Sequence, residues 1–258
     1  MSDNAALKDV VLKPEGGFRT ATEASVGPRL GELFDANPAP THVKLEHFPK
    51  YLKRQKVTRY LALYELFKLS LPVKGSLVEC GVNEGFGLMS WANFSAVLEP
   101  NNLTRRIYGF DTFSGFVDSH AKDKTTNFVP QKGQLAADSY QELSKLVEVY
   151  DQNRFLGHVP KVELVKGDIR QTLPNFLETH PHLVVSLLFM DLDLYEPTKL
   201  CLEHLVPRMP KGAILAFDEL DNPIWPGETQ ATLESVGLRN LRLQRFEFDP
   251  YIGFAILD

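Results

Sequence analysis

The chain has 258 residues, of which 43% are hydrophobic and 24% are charged, and its formal net charge is −5 at pH 7. This is the composition of a globular protein rather than of a disordered or fibrous one. The acidic balance argues against a general nucleic-acid-binding protein, which normally carries an excess of basic residues. Two cysteines are too few for a disulfide framework and favour a reducing, cytoplasmic setting. With no secretory signal and no apolar stretch long enough to cross a bilayer, we expect no membrane partner.

The N-terminal region differs in pattern from the rest of the chain. Residues 1–45 are rich in Gly, Pro, Ala and Thr and show no sustained hydrophobic period. We predict a partly ordered extension there, which acts as a lid or an oligomer contact. Over residues 48–71, apolar residues recur at mixed three- and four-residue spacing, which predicts an amphipathic helix or helix pair. The main domain is therefore expected over residues 46–258.

Short apolar runs alternate with helical segments along this domain. Strands are predicted at 76–80, 106–110, 161–165, 184–190 and 213–217, and helices at 88–98, 139–150, 173–179, 198–206 and 230–236. This alternation predicts an α/β fold with a mainly parallel sheet and helices on both faces. Two further strand-like runs, 241–248 and 252–257, are too close in sequence for a parallel crossover. We therefore expect them to form a terminal antiparallel hairpin.

A glycine-rich turn follows the first predicted strand, in the segment Val-Glu-Cys-Gly-Val-Asn-Glu-Gly-Phe-Gly of residues 78–87. Gly81 permits a sharp turn, and Gly85 lets the backbone approach a ligand. Glu79, at the strand end, can accept hydrogen bonds from an ammonium or hydroxyl group. The spacing matches neither the dinucleotide fingerprint nor a phosphate loop. A cofactor with an amino group and no phosphate fits better, and a purely structural turn is the alternative.

Acidic residues also follow the next two strands. Asp111 ends the second strand, about thirty residues after the first turn, where a carboxylate can bind both hydroxyls of a ribose. The alternative for Asp111 is a helix cap or a turn aspartate. Asp168 follows the third strand and is placed to reach an adenine amino group. This role is weaker, because Gly-Asp is also a common turn pair.

The most distinctive segment is Leu-Leu-Phe-Met-Asp-Leu-Asp-Leu-Tyr-Glu-Pro-Thr, residues 187–198. A buried strand delivers Asp191 and Asp193 at its C-terminal end, where open α/β sheets bind ligands. Asp218 and Glu219 follow the next strand in the same way. Carboxylates that converge at adjacent strand ends repel one another unless a cation or a proton joins them. Oxygen donors alone suit a hard divalent ion, so the pattern predicts Mg²⁺.

Four segments together carry a family resemblance: Glu-Cys-Gly-Val at 79–82, Gly-Phe-Asp-Thr-Phe-Ser-Gly-Phe at 109–116, Asp-Leu-Asp-Leu-Tyr at 191–195 and Asp-Glu at 218–219. In this order they resemble the macrocin O-methyltransferase (TylF) family, over roughly residues 50–258. The resemblance implies a Rossmann-like class I methyltransferase. Such an enzyme would use S-adenosylmethionine and Mg²⁺ to methylate a sugar hydroxyl in natural-product biosynthesis.

The resemblance also implies a cofactor site, whose six residues are Glu79, Gly81, Gly85, Asp111, Ser114 and Asp168. The first two would line the methionine part of S-adenosylmethionine. Asp111 would bind the ribose, and Asp168 would lie at the adenine end.

On the acceptor side, the resemblance assigns metal binding to Asp191, Asp218 and Glu219, and the role of base to Asp193. Glu219 departs from the family pattern, since many relatives carry a second aspartate there. The longer side chain can still bind a metal ion. The expected partner is a sugar or glycoside acceptor, and we expect a homo-oligomer because relatives with long N-terminal extensions often self-associate.

Two other functions fit parts of this pattern. A buried strand that runs into Asp-x-Asp is also typical of Mg²⁺-dependent phosphatases of the haloacid-dehalogenase type. Against this, Tyr195 stands where such phosphatases carry Thr or Val, and two glycine/acid turns precede the motif. A non-catalytic relative that keeps only the cofactor pocket is the second alternative. The complete acidic set argues against it, because unneeded carboxylates are costly to hold together.

Overall fold

The computed structural model describes residues 11–12 and 18–258, with side chains from Thr20 onward. The chain divides into two compact units, residues 1–59 and residues 60–258. The rest of the predicted extension, residues 1–10 and 13–17, lies outside the described residues.

The first unit contains a short hairpin and two helices. Strands β1 (Val11–Leu12) and β2 (Phe18–Arg19) pair antiparallel, and the helices are α1 (Ala21–Ala36) and α2 (Thr41–Glu46). The hydrophobic pattern did not predict either helix. The start of α1 nevertheless has a readable signal, because Thr20 and Glu23 form a capping box. Of the amphipathic helix or helix pair predicted over 48–71, the structure has one α-helix, α3 (Arg54–Ser70), preceded by a 3₁₀ turn at Phe48–Tyr51.

The second unit is built on a seven-stranded sheet. In chain order its strands are β3 (Ser76–Cys80), β4 (Ile107–Asp111), β5 (Val162–Lys166), β6 (Val185–Met190), β7 (Ile214–Phe217), β8 (Gln244–Phe246) and β9 (Asp249–Ile256). Their order in the sheet is β5-β4-β3-β6-β7-β9-β8. Strands β3 to β7 are parallel, whereas β9 is antiparallel to both β7 and β8. The predicted fold class, a mainly parallel sheet with a terminal antiparallel hairpin, is confirmed.

Helices connect the parallel strands and cover the sheet. They are α4 (Phe86–Leu98), α5 (Tyr140–Asn153), α6 (Ile169–Thr179), α7 (Tyr195–Leu205) and α8 (Pro226–Ser235). Several predicted boundaries were wrong, including the start of α8, which lies four residues before the predicted position. Helix α6 starts four residues before the predicted position, because Asp168 caps it by accepting a hydrogen bond from the Arg170 amide at 3.0 Å. Strand β8 is much shorter than the predicted 241–248, because residues 241–243 do not pair and residues 247–248 form the turn into β9.

Side chains of the central strands alternate between two buried clusters, one on each face of the sheet. One cluster contains Trp91 and Phe189, and the other contains Phe110 and Phe217, all with no solvent exposure. Strand β6 is buried along its whole length. The parallel strands are therefore held rigidly, and the residues just after their C-terminal ends have defined positions. Within the described part of the chain, no helix has the length and apolarity needed to cross a membrane.

Candidate active site

The glycine-rich turn lies between β3 and α4 and packs closely against its surroundings. Gly81 has φ +96°, and a Cβ atom there would collide with the backbone oxygen of Asp191. Gly85 has φ +79° and caps the N-terminus of α4, a conformation that side-chain-bearing residues rarely adopt. Glu79 is 2% exposed, and Gly87 lies so close to its carboxylate that no side chain would fit between them. The turn thus requires small residues and holds a buried carboxylate beneath the first turn of α4.

Asp111 connects this turn with the one that follows β4. Its Oδ2 atom accepts hydrogen bonds from the amides of Val82 and Asn83, both at 2.8 Å. Its Oδ1 atom accepts one from the Phe113 amide at 2.6 Å. Asp111 therefore organises two adjacent loops at the C-terminal edge of the sheet, and the contact to Phe113 has the form of the turn aspartate considered as an alternative. Ribose binding by Asp111 stays a prediction.

Asp168 has a partner that sequence reasoning missed. Arg170 donates to its carboxylate at 2.7 Å and also pairs with Asp118 at 2.9 Å and Glu196 at 3.0 Å. Partial burial raises the pKa of Asp168, but the hydrogen bonds from Arg170 outweigh this effect, so the net pKa is lowered. Asp168 is held as an anion beside the strand ends. Ser114 is exposed in the loop after β4, and the adenine-end and cofactor roles of the two residues stay predictions.

The backbone places the acidic residues after β6 and β7 at the ends of neighbouring strands. The Asp191 amide donates to the Cys80 carbonyl at 2.8 Å, and the Asp218 amide donates to the Met190 carbonyl at 3.0 Å. Asp191 and Asp218 therefore continue two neighbouring, hydrogen-bonded strands. Asp193 is 8% exposed and has φ +60°, a strained backbone conformation for an aspartate. Its base role is an expectation that the geometry leaves untested.

A further carboxylate, Glu228 on α8, lies behind this group. It is fully buried, and its Oε2 atom accepts a hydrogen bond from the Glu219 amide at 2.7 Å. Its Oε1 atom has no hydrogen-bond partner among the described residues. Burial, together with the negative charges of Glu219, Asp218 and Asp193, raises its pKa well above the usual value. The sequence offered no signal for Glu228 beyond an acid in the first turn of a helix, which is an ordinary position.

The predicted metal site has suitable atoms but not a suitable arrangement. Asp191, Asp218 and Glu219 supply carboxylate oxygens, which are the donors that Mg²⁺ prefers. However, no group of three or more His, Cys, Asp or Glu residues in the described structure is placed to hold a metal ion. The structure thus does not support the Mg²⁺ prediction, and we derive no catalytic step through a metal ion.

Trp225 lies directly before α8 and is 3% exposed. Its ring meets those of Phe116 and Phe128 edge-on, with centroid distances of 5.7 and 4.8 Å. Both phenylalanines belong to the long connection between β4 and α5, so Trp225 anchors that connection to α8.

Comparison with known proteins identifies the family. Residues 78–220, more than half of the chain, match the family described as "Methyltransferase domain". A curated relative from Streptomyces olivaceus, 8-demethyl-8-(2,3-dimethoxy-alpha-L-rhamnosyl)-tetracenomycin-C 4'-O-methyltransferase, is 33% identical over 156 residues. That match covers 57% of this chain and 53% of the relative, so this chain spans about half the length of its curated relative.

Solved structures match over more of the chain. The calicheamicin methyltransferase CalS11 is 36% identical, with a TM-score of 0.89 and coverage of 99% of this chain and 98% of that chain. The apo structure of CalS11, named a TDP-rhamnose 3'-O-methyltransferase, is 35% identical over 92% and 95% of the two chains, with a TM-score of 0.81. The O-methyltransferase NovP, at 22% identity over 78% and 80% of the chains and a TM-score of 0.59, shares the fold. The chain belongs to the methyltransferase family, in the sugar O-methyltransferase group that its four motifs resemble.

Proposed function

We propose that this protein is an S-adenosylmethionine-dependent O-methyltransferase that acts on a sugar hydroxyl in secondary-metabolite biosynthesis. The acceptor is a deoxyhexose or rhamnose-type sugar, either nucleotide-linked or part of a glycoside. Two relatives support this class of acceptor, because one is named for TDP-rhamnose and the other for a rhamnosyl tetracenomycin. These acceptors differ in what the sugar is attached to, and the proposal covers both.

One observation carries the proposal: the close contact between Gly81 and the backbone oxygen of Asp191. It brings the glycine-rich turn after β3 beside the acidic loop after β6. A cofactor held by the turn would therefore lie next to Asp193, the candidate base. Methyl transfer requires this proximity of cofactor and base, since the methyl donor and the deprotonated acceptor oxygen must lie within contact distance.

The residues around the glycine turn fit S-adenosylmethionine. Gly81 and Gly85 let the turn pack closely against Asp191 and Leu143, and the buried Glu79 offers a negative charge for the amino group of the methionine part. When bound, S-adenosylmethionine supplies a methyl group whose bond to sulfur breaks, leaving its electron pair on sulfur, as the acceptor oxygen forms the new C–O bond. Asp111 organises the loops on which the ribose would rest.

Asp193 is the residue that would remove the proton from the acceptor hydroxyl. A hydroxyl is a poor nucleophile while it keeps its proton, and a positioned general base contributes about 10²- to 10⁴-fold in rate. Orientation of the two reactants contributes more, about 7 to 11 kcal/mol. Asp193 is 8% exposed, so a proton acceptor at this position is shielded from bulk water.

The match to the methyltransferase family covers residues 78–220, which include the Asp191–Asp193 motif on which the phosphatase alternative depended. We therefore do not retain that alternative. Magnesium dependence and a homo-oligomeric state stay predictions. Treatment with a chelator, followed by return of Mg²⁺, tests the first: a chelated enzyme with full activity would contradict it. Light scattering of the purified protein tests the second.

Calorimetric titration of S-adenosylhomocysteine into the protein, with and without Mg²⁺, tests cofactor binding. We expect micromolar affinity. Absence of binding in both conditions would overturn the cofactor assignment of Glu79 and Asp111. Binding without transfer to any sugar would instead favour the non-catalytic relative considered from the sequence.

A further inference from the structure

The connection between β4 and α5, residues 112–139, is here called the strap. It begins beside the cofactor turns and reaches the N-terminal ends of α7 and α8. One of its residues, Asp123, is 2% exposed although it carries a charge at neutral pH in water. Such burial of a carboxylate is costly unless its oxygens are well hydrogen-bonded, so its contacts indicate what the residue does.

Both oxygens of Asp123 accept backbone hydrogen bonds. Oδ2 accepts from the His120 amide at 2.6 Å, within the strap. Oδ1 accepts from the Tyr195 amide at 2.6 Å, on a residue 72 positions further along the chain. Tyr195 is the first residue of α7, where amides have no partner inside the helix. Asp123 therefore fixes the point at which the acidic loop after β6 becomes a helix.

The backbone at the start of α7 is also packed tightly against Gly227 of α8. A Cβ atom on Gly227 would contact the Oδ1 atom of Asp123, and would lie 2.6 Å from the Tyr195 nitrogen and 2.9 Å from the Asp193 carbonyl oxygen. Asp193 itself has φ +60°, a backbone conformation that is uncommon for residues with a side chain. A strained residue keeps its conformation only when its surroundings hold it there. The carboxylate of Asp123 and the first turn of α8 are those surroundings.

We propose that Asp123 is a positioning residue: it holds the backbone of residues 193–195, and with it the Asp193 carboxylate, in the conformation that removes the acceptor proton. It also ties the strap to that loop. The inference rests on the proposed function, since it assigns Asp123 a role in the same reaction. Asp123 acts through the backbone and touches no reacting atom.

The strap has other anchors that do not involve Asp123. Lys122 pairs with Glu234 and donates to the Tyr195 hydroxyl at 3.0 Å, and that hydroxyl donates to Glu234 at 2.6 Å. The ring of Phe128 packs on Trp225. Loss of the Asp123 carboxylate alone therefore leaves the strap attached, so its substitution measures the positioning of the 193–195 backbone.

The first test replaces Asp123 by alanine and by asparagine. In Asp123→Ala we expect kcat to fall about tenfold to a hundredfold, with the affinity for S-adenosylhomocysteine within twofold of the wild type. Asp123→Asn keeps one carbonyl acceptor and loses the other, so an intermediate kcat is expected. Asp138→Asn is the matched control, because Asp138 is an exposed aspartate of the same strap, and its kcat should equal that of the wild type.

A second variant, Gly227→Ala, disturbs the same backbone without removing a carboxylate. It leaves every carboxylate in place but inserts a methyl group where Asp123, Tyr195 and Asp193 meet. We expect it to lower kcat in the same way as Asp123→Ala. Wild-type kcat in both variants would overturn the proposal, and so would an equal loss of kcat and of cofactor binding.

Hydrogen–deuterium exchange provides a readout that does not depend on activity. In Asp123→Ala the amide of Tyr195 should exchange faster than in the wild type and in Asp138→Asn, because its acceptor is gone. Unchanged exchange would show that the amide is held by something else and would overturn the proposal. If no sugar is methylated even by the wild type, the proposed function fails, while the exchange result still decides whether Asp123 holds this loop.

Discussion

The two ends of the parallel strands differ in how their buried polar groups are hydrogen-bonded. The end where the strands begin is here called the starting edge of the sheet, and the end where they finish is called the ending edge. At the edge where the strands begin, Arg105 is 3% exposed and donates to Glu99, to Ser186 and to the backbone oxygens of Ser70 and Val73, the last at 3.0 Å. At the edge where the strands end, Glu228 is buried with one oxygen lacking a partner among the described residues, and its pKa is raised by burial and by neighbouring carboxylates.

This difference separates residues that stabilise the fold from residues that serve the site. Breaking a buried, hydrogen-bonded ion pair is strongly destabilising. The Arg105 network therefore stabilises the sheet at its starting edge. Crowded carboxylates and a strained backbone, as at Asp193, cost free energy and persist where they have a function. We therefore expect substitutions at the starting edge to change stability and substitutions at the ending edge to change activity.

The largest effect is expected from Asp193→Asn at the ending edge. Loss of the base should lower turnover about 10²- to 10⁴-fold. Asparagine tolerates a positive φ about as well as aspartate, so the loop should keep its shape. Single-turnover methyl transfer measures the rate, and calorimetry with S-adenosylhomocysteine should show unchanged binding. Turnover equal to that of the wild type would remove Asp193 from the mechanism.

Arg105→Ala tests the starting edge. It leaves Glu99, which is 10% exposed, without its main partner. The expected loss is about 3 to 5 kcal/mol in the free energy of unfolding, measured with urea. The neighbouring Arg106 is half-buried and makes none of these side-chain bonds, so Arg106→Ala is the matched control and should cost much less. A comparable loss in both variants would contradict the role given to the Arg105 network.

Lys161, at the same edge, makes this network sensitive to pH. Burial lowers the pKa of Lys161 to about 8, although Glu99 opposes the shift. Between pH 8 and the usual lysine pKa, the unfolded chain binds more protons than the folded one, so stability rises with pH in this window. Relative to Lys161→Met, the wild type should gain up to about 3 kcal/mol between these limits. Parallel stability curves for the two proteins would show that Lys161 titrates normally.

The smallest effect is expected from a pair of glycines with the same backbone conformation. Gly85 has φ +79° and Gly133 has φ +77°, so the backbone conformation alone should cost alanine about 1 to 2 kcal/mol of stability at either position. Gly85→Ala should cost more than this, because its Cβ atom would also meet the Leu143 side chain. Only Gly85 belongs to the glycine turn, whereas a Cβ atom on Gly133 would point into open space. Weaker binding of S-adenosylhomocysteine is therefore expected for Gly85→Ala alone. Equal affinities for the two variants would contradict the placement of the cofactor at this turn.

Much of the fold and part of the site could be predicted from the sequence. The parallel strands were visible because each is a short run rich in apolar residues, and Asp191 and Asp218 were visible because they directly follow two fully buried runs. The start of α1 could have been predicted from its capping box at Thr20, although the hydrophobic pattern there did not predict a helix. Asp123 and Glu228 were not predictable, since their roles come from contacts with residues distant in sequence or on other elements. Such contacts depend on the path of the strap and the docking of α8, which no local pattern encodes.

The most direct test of the account is transfer of a labelled methyl group from S-adenosylmethionine to TDP-rhamnose and to rhamnosyl glycosides, with the wild type and Asp193→Asn side by side. We expect labelled methylated sugar from the wild type and at least about a hundredfold less from Asp193→Asn, with equal cofactor binding. Absence of labelled sugar from the wild type, or equal rates in the two proteins, would contradict the account.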